Sequence, residues 1–300
     1  MQLELQDFAQ RAVSPFLELG AYEALWDEQS TSFKTLANLF AKRVGTIPSD
    51  FVERSRAFSY ANEVHARLKD AGIKSYGVRV HGAGEYPERL RVADHPVALL
   101  YFQGWWELVN SPRSVAVVGT RSPTAEGLAR TRNLVKALLQ DDFTIVSGLA
   151  TGVDTAAHTT AIEQGGRTIA VLGTPLSRAY PASNSRLQNE IAANHLLISQ
   201  VPVKRYENPI NPTVNNFFFP ERNVTMSALT DATIIIEAGD TSGTLVQARH
   251  ALKQGRKLFI LESNFRNSEI KWPHAYEERG AIRVAEYDDV RRHLIPGKTH

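Results

Sequence analysis

The chain has no cysteine in 300 residues, which removes disulfides, thiol nucleophiles and cysteine-ligated zinc or iron–sulfur sites together. It also lacks any apolar run of about eighteen residues, the length a membrane-spanning helix needs. Its first ten residues, MQLELQDFAQ, contain neither a basic stretch nor an apolar one of the secretory kind. A cytoplasmic protein with no membrane partner is expected. Net charge is scarce as well: 34 Lys and Arg against 32 Asp and Glu leave +2. A polyanion would therefore have to be met by cations gathered on one face. The full Gly-x-x-x-x-Gly-Lys-Ser/Thr of a nucleotide-hydrolysing P-loop occurs nowhere: the Gly297-Lys298-Thr299 triplet has Arg292 where the first glycine would stand. What remains, 43% hydrophobic and 22% charged residues, is ordinary globular composition with a sizeable core.

From Leu5 to Leu68 apolar residues recur at helical spacing, with breaks near Gly20, Ser30 and Pro48. This predicts a small helical domain over residues 1–75, with Ser49 and Asp50 capping its last helix and Gly72 ending it. Beyond it, over residues 76–300, SYGVRVHG and VALLYFQG read as short strands. Nearly unbroken Val/Ile/Leu runs then alternate with helical stretches beginning near Glu126, Gly152, Ser183, Asn223 and Gly243. The runs are SVAVVGT, FTIVSG, RTIAVLGT, HLLIS, ATIIIEAG and KLFIL. Strands this apolar are covered on both faces, so the fold class is α/β with a mostly parallel sheet. Residues 202–220, rich in Pro and Asn and closing on three phenylalanines, read as a long loop.

Several strands end in small residues, and in an open doubly wound sheet the ligand crevice lies beyond those carboxyl ends. VSGLATGVDTAAH, from Val146 to His158, feeds a glycine-rich loop into a helix N-terminus, where N–H groups and the dipole favour an anion. Its glycines are not spaced as Gly-x-Gly-x-x-Gly, and the next strand ends in GTP rather than an acidic residue, which disfavours a dinucleotide. The same small residues also serve a tight turn with no ligand. VVGTR sets Arg121 just beyond a strand end, where a guanidinium can fork onto phosphate. FPERN brings Arg222 and Asn223 to a loop–helix junction, and EAGDTSGTL is a further strand–glycine–helix turn. Phe217, Phe218 and Phe219 can stack on bases or anchor the loop in the core, the second being expected of at least two of them.

VGTRSPT, SGLATGVDTAAH, TIAVLGTPLSRAYPASNSRL, FPERN and EAGDTSGTLVQARHALKQGR, in this order over roughly Tyr86 to Arg256, resemble the DprA/Smf family. The resemblance implies an extended Rossmann-like sheet with helices on both faces. It also implies single-stranded DNA binding without nucleotide turnover, a homodimer, and delivery of the strand to the RecA recombinase in transformation. The helical N-terminal region is similar to the SAM-like or helix–hairpin–helix-like domain that precedes the sheet in many members. Carried over by position, the phosphate-binding set is Gly119, Thr120, Arg121, Ser147, Gly148, Ala150, Gly152, Arg222, Asn223, Ser242, Gly243 and Thr244, with no cofactor and no catalytic residue. Val224 stands where members carry a second arginine, Glu221 where a neutral or basic residue suits DNA better, and Gln200 where glutamate is usual. A divergent member without a C-terminal winged helix is expected.

Two other readings stay open. In the wider group, LOG-type phosphoribohydrolases cleave a base from a nucleoside monophosphate, and Glu237 at a strand end can stabilise an oxocarbenium-like centre. A nucleotide sensor would use the same crevice. Asp154 and His158, four apart, have metal-pair spacing, but a carboxylate there equally serves the helix dipole. Arg249, Lys253 and Arg256 would share one helix side, with Lys257 beside them, as a solvated face or a backbone track.

Overall fold

A computed structural model describes residues 12–93, 95–209 and 212–295; the helical expectation for residues 5–11 and the loop expectation at 210–211 lie outside the described residues. Helix α1, Pro15–Leu25, starts at Ser14, whose Oγ accepts the Leu17 N–H. Helix α2, Phe33–Ala41, opens on a reciprocal cap between Ser32 and Thr35. Helix α3 is Arg54–Asp70. Gly20 lies inside α1 rather than breaking it. A Cβ there would sit 1.9 Å from the Ala57 carbonyl oxygen, so glycine is what lets α1 cross α3 over the buried Ala57 and Ala61. Ser49 and Asp50 do not cap α3. The Asp50 carboxylate accepts the Ile47 N–H and closes the short 3-10 turn Pro48–Asp50, while the Ser49 N–H bonds to Glu18. Gly72 does end α3, at φ +82°, with the Ile73 N–H returning to the Leu68 carbonyl.

Strand β1 (Gly77–Val80), helix α4 (Glu88–Arg91) and strand β2 (Leu99–Gly104) follow. Next come β3 (Ser114–Val118), α5 (Ala125–Gln140), β4 (Thr144–Ser147), α6 (Val153–Glu163), β5 (Thr168–Leu172), α7 (Ser185–Asn194) and β6 (Leu196–Ser199). The chain continues through α8 (Val203–Glu207), α9 (Phe218–Leu229), β7 (Ala232–Ile235), α10 (Thr244–Lys253) and β8 (Lys257–Leu261). It closes with α11 (Glu262–Phe265), α12 (Trp272–Glu277), β9 (Ile282–Val284) and α13 (Tyr287–Leu294). The segment at 202–220 is not a bare loop: it holds α8, a 3-10 turn at Pro212–Phe217 and the start of α9, five residues before Asn223.

Two units divide these elements. The first holds Met1–Trp106, Leu172–Ala179 and Leu197–Arg222, so the boundary expected near residue 75 falls inside it. Here β1 and β2 pair antiparallel, Gly77 opposite Phe102. Phe218, fully buried, packs among Trp26, Phe33 and Tyr206; Phe217 stacks on Phe33; and Phe219 covers Gly173. These rings are core anchors. Glu23 is buried in the same unit, where its carboxyl accepts from the Tyr101 hydroxyl and from the Val203 and Lys204 N–H groups at the start of α8.

The second unit holds Glu107–Val171, Tyr180–Leu196 and Asn223–His300. Its strands run β5-β4-β3-β7-β8-β9, all neighbours parallel. Numbered within the unit this is the doubly wound order 3-2-1-4-5-6, with the direction of winding reversing between β3 and β7. Side chains alternate between faces. Val117, Ile145, Ile234 and Phe259 pack with Leu134 and Val135 of α5 and Val153 and Ala157 of α6. Thr233, pointing the other way, receives a bond from Gln247 of α10. Helices therefore cover both faces of this mostly parallel sheet.

Burial raises the Glu23 carboxyl to about 7, against its ordinary 4.5, despite the bonds it accepts from Tyr101, Val203 and Lys204. A carboxyl that binds its proton more tightly when folded contributes stability that is full below pH 4.5 and lost as pH rises through 7. Glu23→Gln removes that titration and turns an amide N–H toward the Lys204 N–H, costing about 1–3 kcal/mol. Urea unfolding should show the variant trailing the parent most at pH 4.5 and less at pH 8. A gap that does not change with pH would contradict this assignment.

Candidate functional site

Three loops leave the carboxyl ends of β3, β4 and β7 in the second unit, and hydrogen bonds join them into one rim. After β3, the Thr120 N–H donates to the Glu237 carbonyl at 2.7 Å. Gly119 lies so close to the neighbouring chain that a Cβ would sit 2.6 Å from Val153 Cγ2 and 2.9 Å from that same carbonyl. Thr244 returns its hydroxyl toward the Gly119 carbonyl at 3.4 Å. After β4, the Thr151 hydroxyl donates to the Arg121 carbonyl at 3.2 Å and the Val153 N–H to Thr120 at 3.3 Å. Gly152 holds φ at +78°, and a Cβ there would meet the Thr120 and Arg121 carbonyls at 2.5 and 2.7 Å. A positive φ and a close backbone approach are both reasons for glycine at that position.

Side chains from the following helices hold the β4 loop by its carbonyls. His158, fully buried, uses Nε2 on the Gly148 carbonyl and Nδ1 on the Thr168 hydroxyl at 2.7 Å. Asn184 donates to the Leu149 carbonyl at 2.9 Å, and the Thr155 hydroxyl donates to the Ala150 carbonyl at 2.7 Å. Asp154 accepts the Ala150 N–H at 3.3 Å. The spacing of Asp154 and His158 thus serves the loop's shape. Among the described residues no three His, Asp or Glu side chains gather as metal ligands.

Of the expected phosphate-binding set, Gly119, Thr120, Arg121, Ser147, Gly148, Ala150, Gly152, Asn223, Ser242, Gly243 and Thr244 all belong to this unit and line or support its three loops. Their availability differs. Ser147 is fully buried with its Oγ on the Val117 carbonyl at 2.7 Å, and the Ala150 amide is spent on Asp154. Asn223 is buried and donates to the Gly243 carbonyl at 3.0 Å, shaping the β7 loop, where the Thr244 N–H bonds to the Ser242 Oγ. Arg222 falls in the first unit and is 8% exposed. Arg121 is exposed, and among the described residues its guanidinium has no ion-pair partner. Thr151, whose hydroxyl bonds to the Arg121 carbonyl, is exposed, and so is Gly243 on the β7 loop.

Other readings are narrowed by the same geometry. Glu237 Oε2 accepts from the Thr124 N–H at 3.2 Å and from its hydroxyl at 3.0 Å, and Oε1 from the same N–H at 3.4 Å, so the carboxylate holds the residue that caps the start of α5. In the basic run that begins within α10, Arg256 donates to the Ala228 carbonyl and Lys257 to the His293 carbonyl, so these two are engaged by the protein itself. Sequence reasoning missed Asn184 and Thr151. Asn184 reaches a carbonyl 35 positions earlier, for which no local pattern exists.

Sheet order and glycine-loop rim together define a Rossmann-like protein with three joined loops at its strand ends. The model of the family described as DNA recombination-mediator protein A matches residues 77–294, and the chain belongs to that family. The DNA processing protein DprA of Bacillus subtilis is 30% identical over 231 residues, 77% of this chain and 74% of that protein. The X-ray structure of DprA from Streptococcus pneumoniae superposes with a TM-score of 0.65 at 27% identity, covering 96% of this chain and 95% of that one. DprA from Helicobacter pylori, whose structure is described for its single-stranded DNA binding mode, gives 0.63 at 30% identity over 73% of this chain and 95% of its own. Among the described residues no helix is long and apolar enough to cross a membrane.

Gly152→Ala is expected to destabilise the chain by about 1–3 kcal/mol, because an L-side chain must take both the positive φ and the carbonyl contacts. A shift in the urea midpoint reads this out, and an unchanged midpoint would mean the loop relaxes freely.

Proposed function

We propose that this chain binds single-stranded DNA by its phosphate backbone along the rim of the three loops, as a binding protein and not a catalyst. The observation that carries the reading is Arg121: an exposed guanidinium without an ion-pair partner among the described residues, on a loop tied to its two neighbours through Thr120, Thr151 and Glu237. With a net charge of only +2, local cations must supply the attraction, and Arg121 is one placed to do so. Arg186, exposed two residues beyond the loop-holding Asn184, supplies a second. Membership of the recombination-mediator family and the single-stranded DNA binding of the Helicobacter pylori relative support the same choice of ligand. Glu237, committed to Thr124 at the start of α5, gives no support to base cleavage.

In this reading the strand is held for recombination, in the cytoplasm, by a homodimer that passes it to the RecA recombinase. Fluorescence anisotropy of a labelled oligo-dT strand should show tight, salt-sensitive binding that exceeds binding to a duplex. Arg121→Ala should weaken affinity for every sequence alike and lower the slope of log affinity against log salt by about 0.7, the share of one single-strand phosphate contact. Full affinity with an unchanged slope would remove Arg121 from the site. No binding at low salt would sink the reading.

A further inference from the structure

A second surface, wholly within the first unit, is built differently from the rim. Between the start of α1, the end of α3 and β1 lies a cavity of about 770 Å³. Phe16, Leu19, Ile73 and Val78 give it an apolar lining, Lys69 and Lys74 stand exposed beside it, and among the described residues no Asp or Glu contributes to its wall. Among the described residues neither lysine has an ion-pair partner. Two ammonium groups thus stand without a carboxylate partner among the described residues beside an apolar depression, a pairing that an amphipathic partner with the opposite charge would satisfy.

The geometry also narrows the mode of binding. The His81 N–H bonds to the carbonyl of Ala98, just before β2, so by antiparallel alternation the Val78 and Val80 carbonyls face away from β2. The first is taken by the Arg79 guanidinium at 3.1 Å and the second by the Ala83 N–H. Strand addition along that edge is thereby blunted. An occupant must be held by side chains in the depression, as a helix or turn is. The apolar part of the wall, Phe16, Leu19, Ile73 and Val78, offers sockets for apolar side chains, which a peptide has and a phosphate backbone lacks; in the polar part the Tyr76 hydroxyl pairs with the His65 ring beside Ser75.

We propose that this groove docks an acidic amphipathic peptide segment of a partner protein, with Leu, Ile or aromatic anchors in the depression and flanking carboxylates on Lys69 and Lys74. The test is a phage-displayed random peptide library selected on the full chain and counter-selected on the Lys69→Glu/Lys74→Glu variant. Both lysines are exposed and lie outside the loops assigned to DNA, so the variant should fold and bind oligo-dT as the parent does. Enriched peptides are expected to set apolar anchors among Asp and Glu. A synthetic winner should lose about tenfold in affinity on the variant, two rim ion pairs' worth, and oligo-dT should not displace it. No enrichment, enrichment of basic peptides, or equal affinity for parent and variant would overturn the proposal. Displacement by oligo-dT would give the groove to nucleic acid instead. None of these outcomes depends on whether the loop rim binds DNA.

Discussion

The 2.7 Å hydrogen bond from the Thr120 N–H to the Glu237 carbonyl joins the ends of β3 and β7, the two strands between which the doubly wound order reverses. A nucleotide crevice opens at that point in many sheets of this class. Here it is bridged, and the bridge sets what else the loops can do. Gly119 must lack a side chain for the strands to approach, Thr244 closes on the Gly119 carbonyl, and Gly152 must fit beneath Thr120 and Arg121. The strand ends form a continuous rim instead of a slot. A rim suits a polymer that runs across it, whereas a slot suits a small ligand that ends within it.

The rim keeps its shape because buried polar groups are costly when unpaired. Carbonyls 148, 149 and 150 each have a side-chain donor, from His158, Asn184 and Thr155 respectively, and Asp154 accepts the Ala150 N–H. Most of the polar residues in the glycine motif therefore act on the protein itself. What they leave exposed is a small set: the Arg121 guanidinium, Thr151 and the turn at Gly243. Binding through so few groups is consistent with a contact that positions a backbone and carries no sequence information.

Much of the sheet was legible because β3 to β8 are nearly continuous Val, Ile and Leu, which only strands covered on both faces retain. Strand β9 escaped: it has three residues, one of them the exposed Arg283. Gly20 read as a break because a close helix crossing cannot be seen in one helix's sequence, and the start of α9 was displaced because three phenylalanines in a row carry no helical period. At the site the positions were legible and their duties were not. Glycine spacing marked the turns, yet the partners that fix them lie far off in sequence, Asn184 at 35 positions and Glu237 at more than a hundred from Thr124. Arg121 could be read directly, since a cation just past an apolar strand needs no distant partner to be exposed.

The most direct test of the central claim, that the joined loops are the surface a single strand occupies, is hydrogen–deuterium exchange of the whole chain with and without saturating oligo-dT. The account predicts slowed exchange in segments covering residues 119–123, 148–152 and 239–244, with segments covering 15–19 and 69–78 unaffected. Protection that spares the three loops and appears elsewhere would contradict it.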